Sequence, residues 1–217
     1  MNLNYLKYAV AVMSVCTPCI ADQYESSKIR FTTGASFYTL EIEDDSGQVY
    51  REQTHLVPTS LTFQSKQGVF GGAGYTLATL DKIEMDDITF DVEEDFSVYS
   101  LLLGYRTPMS YYDRYRYWGA RLSYSENNET FSSASNAALF IEKDSEQRFG
   151  RISLSYEQST GAIMWSLSGT HVWFFTRQFG AGVNWALGRG IFDDAAFDKA
   201  DSTAASFGIT FVTRGTL

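Results

Sequence analysis

Along most of the chain beyond residue 28, apolar and polar residues alternate one by one. The alternation predicts β-strands, because successive side chains of a strand point to opposite faces. It is found in nine segments, at 29–37, 57–64, 69–78, 99–106, 118–125, 151–157, 165–173, 179–187 and 204–211. A tenth strand is expected from Phe131 to Lys143, where the alternation is poorer.

The residues on the two faces of these strands distinguish between two architectures. A soluble barrel or sandwich would hide its apolar faces inside, whereas a membrane barrel would turn them outward to lipid. A strand face in water should carry many Lys and Glu, but the polar faces here are mostly Gly, Ser, Thr and Asn. Aromatic pairs also end the apolar faces, as two interfacial girdles require: Tyr99 and Tyr105, Trp118 and Tyr124, Trp165 and Trp173. We therefore predict an all-β fold, an antiparallel up-and-down transmembrane β-barrel.

The number of strands follows from length and parity. A bacterial barrel of this kind has an even number of strands, so ten strands are expected, with eight as the second choice. Ten strands of roughly 11 residues use about 110 residues, whereas a porin of about 16 strands would use about 176. Residues 22–217 are too few for such a wide pore, and the interior of a small barrel is filled by side chains.

The first 21 residues are typical of a secretory signal peptide. Lys7 is followed by the mostly apolar run 8–16, and Cys19-Ile20-Ala21 forms a small-x-small cleavage site. The run is too short to be a transmembrane helix. The alternative to a signal peptide is therefore a buried N-terminal helix. Cleavage after Ala21 leaves residues 22–217 as a single barrel domain without cysteine, which excludes a Cys-x-x-Cys redox site.

The charge of the chain excludes some partners and suggests an orientation. With 26 acids against 17 bases, the formal charge is −9, which argues against a nucleic-acid-binding protein. Acidic segments at 41–45, 81–95 and 189–201 alternate with more basic ones, which contain Lys66, Arg106, Arg114, Arg116, Lys143, Arg148 and Arg177. Because alternate connections of an antiparallel barrel lie at the same end, all the acidic loops can share one rim. We assign that rim to the cell exterior.

The signal peptide, the alternating strands and the closing segment 208–211 together resemble small outer-membrane β-barrel proteins of Gram-negative bacteria. These include the outer-membrane-protein-A-like and opacity-like groups. Residues 173–183 resemble their strand, tight periplasmic turn and next strand. The resemblance implies an outer-membrane location, contact with lipid and lipopolysaccharide, and insertion by the outer-membrane assembly machinery. It also implies a terminal aromatic residue, whereas in this chain residues 212–217 follow Phe211.

Few residues suggest catalysis or metal binding, and we predict no catalytic, cofactor-binding or metal site. Ser168 and His171 could form a nucleophile–base pair, as in a lipid A deacylase, but positions three apart on a strand face opposite ways. His55 is expected at the edge of a loop. The acidic segment 81–95 contains hard-cation ligands but lacks the pattern of a calcium loop, so we expect a solvated acidic loop. The glycines at 71–74 lack the lysine of a phosphate-binding loop and suit tight packing.

Charged residues also occupy the polar faces of the strands. They are Arg30, Arg106, Arg121, Arg151 and Glu157, all expected to project into the lumen. They could line a narrow path for protons or ions, or neutralise one another inside a plugged lumen, because an unpaired buried charge is costly. The sequence thus predicts a non-enzymatic surface, adhesion or envelope-integrity protein whose acidic loops could meet an extracellular ligand. A narrow channel and a lipid-modifying enzyme are the alternatives.

Overall fold

The computed structural model describes residues 27–65, 67–85, 88–110, 113–128, 132–193 and 200–216. They form ten strands: β1 (Lys28–Glu43), β2 (Val49–Gln64), β3 (Val69–Met85), β4 (Ile88–Ser110), β5 (Asp113–Asn127), β6 (Ser133–Asp144), β7 (Arg148–Ser159), β8 (Ala162–Phe174), β9 (Phe179–Phe192) and β10 (Ala200–Thr216). The predicted signal peptide, residues 1–21, lies outside the described residues. No helix among these residues is long and apolar enough to cross a membrane.

The ten strands close into one antiparallel barrel in which every strand pairs with its neighbours in sequence. Closure is made by β1 and β10, which pair from Lys28 opposite Thr216 to Glu43 opposite Asp201. The final strand therefore continues past Phe211 to Thr216. The expected ten-stranded architecture is confirmed, including the tenth strand, which is β6.

The barrel has two distinct ends. We call the end that holds the connections after β1, β3, β5, β7 and β9 the rim end, and the opposite end the turn end. The described residues of the acidic segments 41–45, 81–95 and 189–201 all lie at the rim end. One expectation was wrong in detail: the segment 81–95 is not a loop, because most of it belongs to the paired strands β3 and β4.

An apolar belt surrounds the outside of the barrel. Its exposed side chains are those that the alternation placed on the apolar face, and Leu103, Leu122 and Leu139 are each more than 60% exposed. Exposing so many large apolar side chains to water would be unfavourable, whereas a bilayer solvates them. The belt therefore identifies a transmembrane barrel and excludes the soluble alternative, in which these faces would point inward.

Candidate functional site: the two closures of the lumen

Near the turn end, an ionic cluster lies inside the lumen. Glu142 on β6 accepts hydrogen bonds from Arg106 on β4 and from Arg151 on β7, the latter from Nε to Oε2 at 2.9 Å. All three side chains are almost fully buried. The guanidinium of Arg106 also lies 4.0 Å from the centre of the Tyr117 ring, and that of Arg151 lies 4.3 Å from the centre of the Phe140 ring. The sequence left two roles open for these arginines, an ion path or mutual neutralisation of charge inside the lumen. For Arg106 and Arg151 the geometry shows neutralisation by Glu142.

A second layer closes the mouth at the turn end. Arg214 on β10 donates to the carbonyl oxygens of Glu146 at 2.6 Å and Arg177 at 2.8 Å, which lie in two different turns. Its guanidinium lies 3.7 Å from the centre of the Phe174 ring, and one of its nitrogens is 3.7 Å from a carboxylate oxygen of Asp144. One arginine thus holds two turns and a lumen carboxylate together across the mouth.

The other charged residues predicted to face the lumen do so. Arg30 and Arg121 are at most 5% exposed, and Arg30 lies on β1, directly opposite Arg214 in the strand register. Glu157 on β7 is buried too and accepts a hydrogen bond from the Asn136 side chain at 3.1 Å. The polar residues predicted for the interior are therefore inside the barrel.

At the rim end, four strands continue beyond the apolar belt. We call this part the β1–β4 extension; it comprises residues 38–43, 49–54, 79–85 and 88–97. Its outward side chains are charged: Arg51 bonds Glu41 at 2.6 Å and Glu84 at 3.0 Å. Within the described residues, 88–96 of β4 pair with β3 alone, because the pairing with β5 starts at Val98 and the Ser97 carbonyl accepts a bond from the Asn128 amide. The extension therefore continues beyond the described end of β5.

The inner face of the extension is apolar. Leu40, Ile42, Leu80 and Phe96 are buried there, together with Tyr38, Tyr50, Leu56, Ala78, Ile83 and Val98. They form one cluster with side chains of β8, β9 and β10 across the lumen, namely Ala162, Met164, Phe192, Ala200 and Ala204. The polarity of the strands is therefore reversed in the extension, where the inner face is apolar and the outer face is charged.

A single carboxyl group is buried within this apolar cluster. Glu52 on β2 is 1% exposed and accepts a hydrogen bond from the Thr54 hydroxyl at 2.9 Å.

Outside the strands, the turn after β1 is organised by Asp44, whose carboxylate accepts bonds from the Ser46 hydroxyl at 2.6 Å and from the amides of Ser46 and Gln48. These bonds lower the pKa of Asp44, with the Ser46 hydroxyl as the largest cause.

The residues considered for catalysis or metal binding do not come together. Ser168 points into the lumen, whereas His171 points outward, where its ring lies 4.3 Å from that of Trp173. His55 lies on β2 instead of in a loop, against the Phe37 ring and paired with Asp81. Within the described ranges, no group of three or more His, Cys, Asp or Glu side chains could hold a metal ion. The glycines at 71–74 lie in β3, a setting unlike that of a phosphate-binding loop.

The apolar cluster that closes the lumen at the rim end was not predicted from the sequence. On β1 the alternation continues through Tyr38, Leu40 and Ile42, but here the apolar residues point inward, whereas Phe31 and Phe37 point outward. The signal was present as a change of phase after Phe37, where two apolar residues follow each other. The same change is marked by the charged residues Glu41 and Glu43, which alternate with Leu40 and Ile42 and occupy the opposite face of β1.

Replacing Glu142 tests the ionic cluster. The Glu142→Gln substitution leaves the buried arginines 106 and 151 facing a neutral amide, and we expect the free energy of unfolding to fall by about 3–5 kcal/mol. The measurement is the urea midpoint of the full chain folded in lipid vesicles. The control is Glu41→Gln in an exposed pair, for which we expect at most about 1 kcal/mol. Equal effects of the two substitutions would contradict a structural role for the buried cluster.

Comparisons with known proteins place the fold among outer-membrane barrels. No protein-family model and no curated protein matches the sequence. An outer-membrane channel from Pseudomonas putida F1 is 10% identical with a TM-score of 0.53, covering 93% of this chain and 100% of its own. The transport unit of the Escherichia coli autotransporter AIDA-I is 9% identical with a TM-score of 0.45, covering 96% and 97%. The toluene transporter TodX of P. putida is 7% identical with a TM-score of 0.39, covering 89% and 91%.

These likenesses, all at low identity, bear on the fold alone. The narrower resemblance to the outer-membrane-protein-A-like and opacity-like groups stays a prediction. An outer-membrane location, expected from the sequence, agrees with the apolar belt and with the fold of the P. putida F1 outer-membrane channel. The chain has the fold of the Gram-negative outer-membrane β-barrels, closed here by ten strands.

Proposed function

We propose that this protein is a non-enzymatic, non-conducting component of the outer-membrane surface, in which the barrel anchors the β1–β4 extension. The observation that carries the proposal is the apolar cluster that fills the lumen at the rim end. An open pore needs a wetted path through the barrel, and a packed apolar constriction prevents one by excluding water. Leu40, Phe96 and Met164 are each at most 4% exposed within this cluster.

The turn end is closed too, by ion pairs and hydrogen bonds instead of apolar packing, and this supports the same proposal. An ion crossing this region would have to separate Glu142 from Arg106 and Arg151, and to displace Arg214 from the turns that it holds. Breaking buried ion pairs is costly, because each charge is left without its partner in a poorly solvated site. The two closures are independent, so opening one of them leaves the other in place.

The β1–β4 extension is the part of the barrel suited to contact with a partner. Its outer face carries carboxylates on three of the four strands, among them Glu41, Glu84 and Asp95. Near its tip it exposes the apolar side chains of Ile88 and Phe90. Carboxylates of this kind bind divalent cations, which can bridge them to the phosphates of lipopolysaccharide. A role in adhesion or envelope integrity then rests on this surface.

Ion conductance tests the closed lumen. We expect the full chain to insert into planar bilayers without current steps. Current should appear only when both closures are removed together, with Phe96→Ala and Met164→Ala at the rim end, and with Arg106→Ala, Glu142→Ala, Arg151→Ala and Arg214→Ala at the turn end. Each variant is first checked for the heat-dependent shift in gel mobility that marks a folded barrel. Regular current steps from the unsubstituted protein would contradict the proposal and would favour the narrow channel.

Binding to lipopolysaccharide tests the role of the extension. We expect vesicles that carry the full chain to adhere to a supported lipopolysaccharide layer in the presence of Ca²⁺, and to detach when the cation is chelated. The variant Asp91→Asn, Glu93→Gln, Asp95→Asn should adhere several-fold less, since it lacks three carboxylates of the extension. The matched control, Glu126→Gln, Asp193→Asn, Asp201→Asn, removes the same charge from the rim end outside the extension. Equal loss in both variants would show that the extension has no special role.

A further inference from the structure

A long apolar groove runs along the lipid-facing side of strands β5 to β9. Its volume is about 870 Å³, within the range of roughly 300–1,000 Å³ typical of small-molecule sites. Its walls are formed by Trp118, Ile141, Ile152, Leu167, His171 and Trp185. Because the groove lies within the apolar belt, the occupant must be soluble in the bilayer.

Two glycines on neighbouring strands form the floor of the groove. Gly150 on β7 lies between Lys143 and His171 in the strand register, and Gly169 on β8 is paired with Ile152. Both occupy outward positions where the belt elsewhere carries side chains. Gly169 is covered by the Trp185 indole, which would lie 2.4 Å from a Cβ atom added there. Gly150 is open, since the atom nearest to an added Cβ would be His171 Nδ1 at 3.6 Å.

The groove ends at two basic residues near the turn end. Arg116 on β5 and Lys143 on β6 both line it and are directly opposite each other in the register, with their side chains exposed. The two basic side chains give this end of the groove a positive charge, which is complementary to an anionic headgroup. Trp118 lies two positions further along β5 on the same face, and tryptophans of membrane proteins concentrate at the interface. The basic pair therefore lies at the depth of lipid headgroups.

We propose that this groove is a specific binding site for one anionic phospholipid. The phosphate binds between Arg116 and Lys143, and one acyl chain lies over Gly150 toward Leu154 and Leu167. Basic pockets beside membrane-spanning segments bind anionic headgroups in this way. In the orientation predicted from the sequence, the turn end faces the periplasm, where phospholipids form the leaflet.

The length of the groove agrees with an acyl chain. Leu154 is four positions beyond Gly150 on β7, which corresponds to about 13 Å along the strand. One leaflet of a hydrocarbon core is about 15 Å deep, half of the usual thickness. Because barrel strands are tilted by about 40°, this distance corresponds to a depth of about 10 Å, and the groove extends across about two thirds of the leaflet that the headgroup faces. A lipid held at both its charged and its apolar end differs from the exchanging lipids that surround the rest of the belt.

Native mass spectrometry of the full chain tests the proposal. The protein is folded into vesicles of equal amounts of phosphatidylglycerol and phosphatidylcholine and then released for measurement. We expect one phosphatidylglycerol to be retained in preference to phosphatidylcholine. Arg116→Gln and Lys143→Gln should each reduce this preference about five-fold. Arg177→Gln, which removes an exposed charge from the same end outside the groove, should leave the preference unchanged.

A second pair of variants tests the groove itself. Gly150→Leu fills the floor without a backbone clash, and it should abolish retention of either lipid. Gly71→Leu makes the same change on the outward face of β3, away from the groove, where an added Cβ has ordinary contacts only, and it should have no effect. The heat-dependent shift in gel mobility confirms that each variant is folded. Equal retention of the two lipids by the unsubstituted protein, or unchanged retention by Gly150→Leu, would overturn the proposal.

Discussion

The pairing of every backbone hydrogen-bonding group is the constraint on which this structure depends. Within a bilayer no water is available to an unpaired N–H or C=O group, so a sheet can cross the membrane only as a closed barrel. The pairing of β1 with β10 along sixteen residue pairs provides this closure. Once the barrel is closed, each side chain faces either the lipid or the lumen, and strand periodicity decides which.

The surroundings of the barrel then change along its axis, and the side chains change with them. In the belt, leucines such as Leu103 and Leu122 face lipid, and the lumen holds buried polar residues beside a few aromatic rings such as Phe140. Above the belt, the outer face of the β1–β4 extension meets water and carries Glu41 and Arg51, so the apolar residues turn inward. The strands of the extension are thus built like those of a soluble barrel, with their apolar face inward. The closed lumen follows directly from this reversal.

Most of the fold could be predicted from the sequence, because one strong period placed the strands, and the Gly, Ser, Thr and Asn of the polar faces favoured a membrane barrel over a soluble one. The lumen positions of Arg106, Arg151 and Glu157 followed from the same alternation. The partners of these residues could not be predicted, since Glu142 meets both arginines only after three strands are aligned in register. The lipid groove was missed for a similar reason, because Gly150, Gly169 and Trp185 become neighbours only across strands β7 to β9.

Water accessibility on the two faces of the extension tests the reversal of polarity most directly. Single cysteines at positions 42 and 43 are suitable, because Ile42 is buried in the apolar cluster and Glu43 is exposed. Both natural cysteines lie within residues 1–21, so they do not interfere after cleavage of the predicted signal peptide. For the folded protein in vesicles with the rim end outward, a membrane-impermeant maleimide should label Glu43→Cys rapidly and leave Ile42→Cys unlabelled until the protein is unfolded. Equally rapid labelling at both positions would contradict the closed apolar lumen.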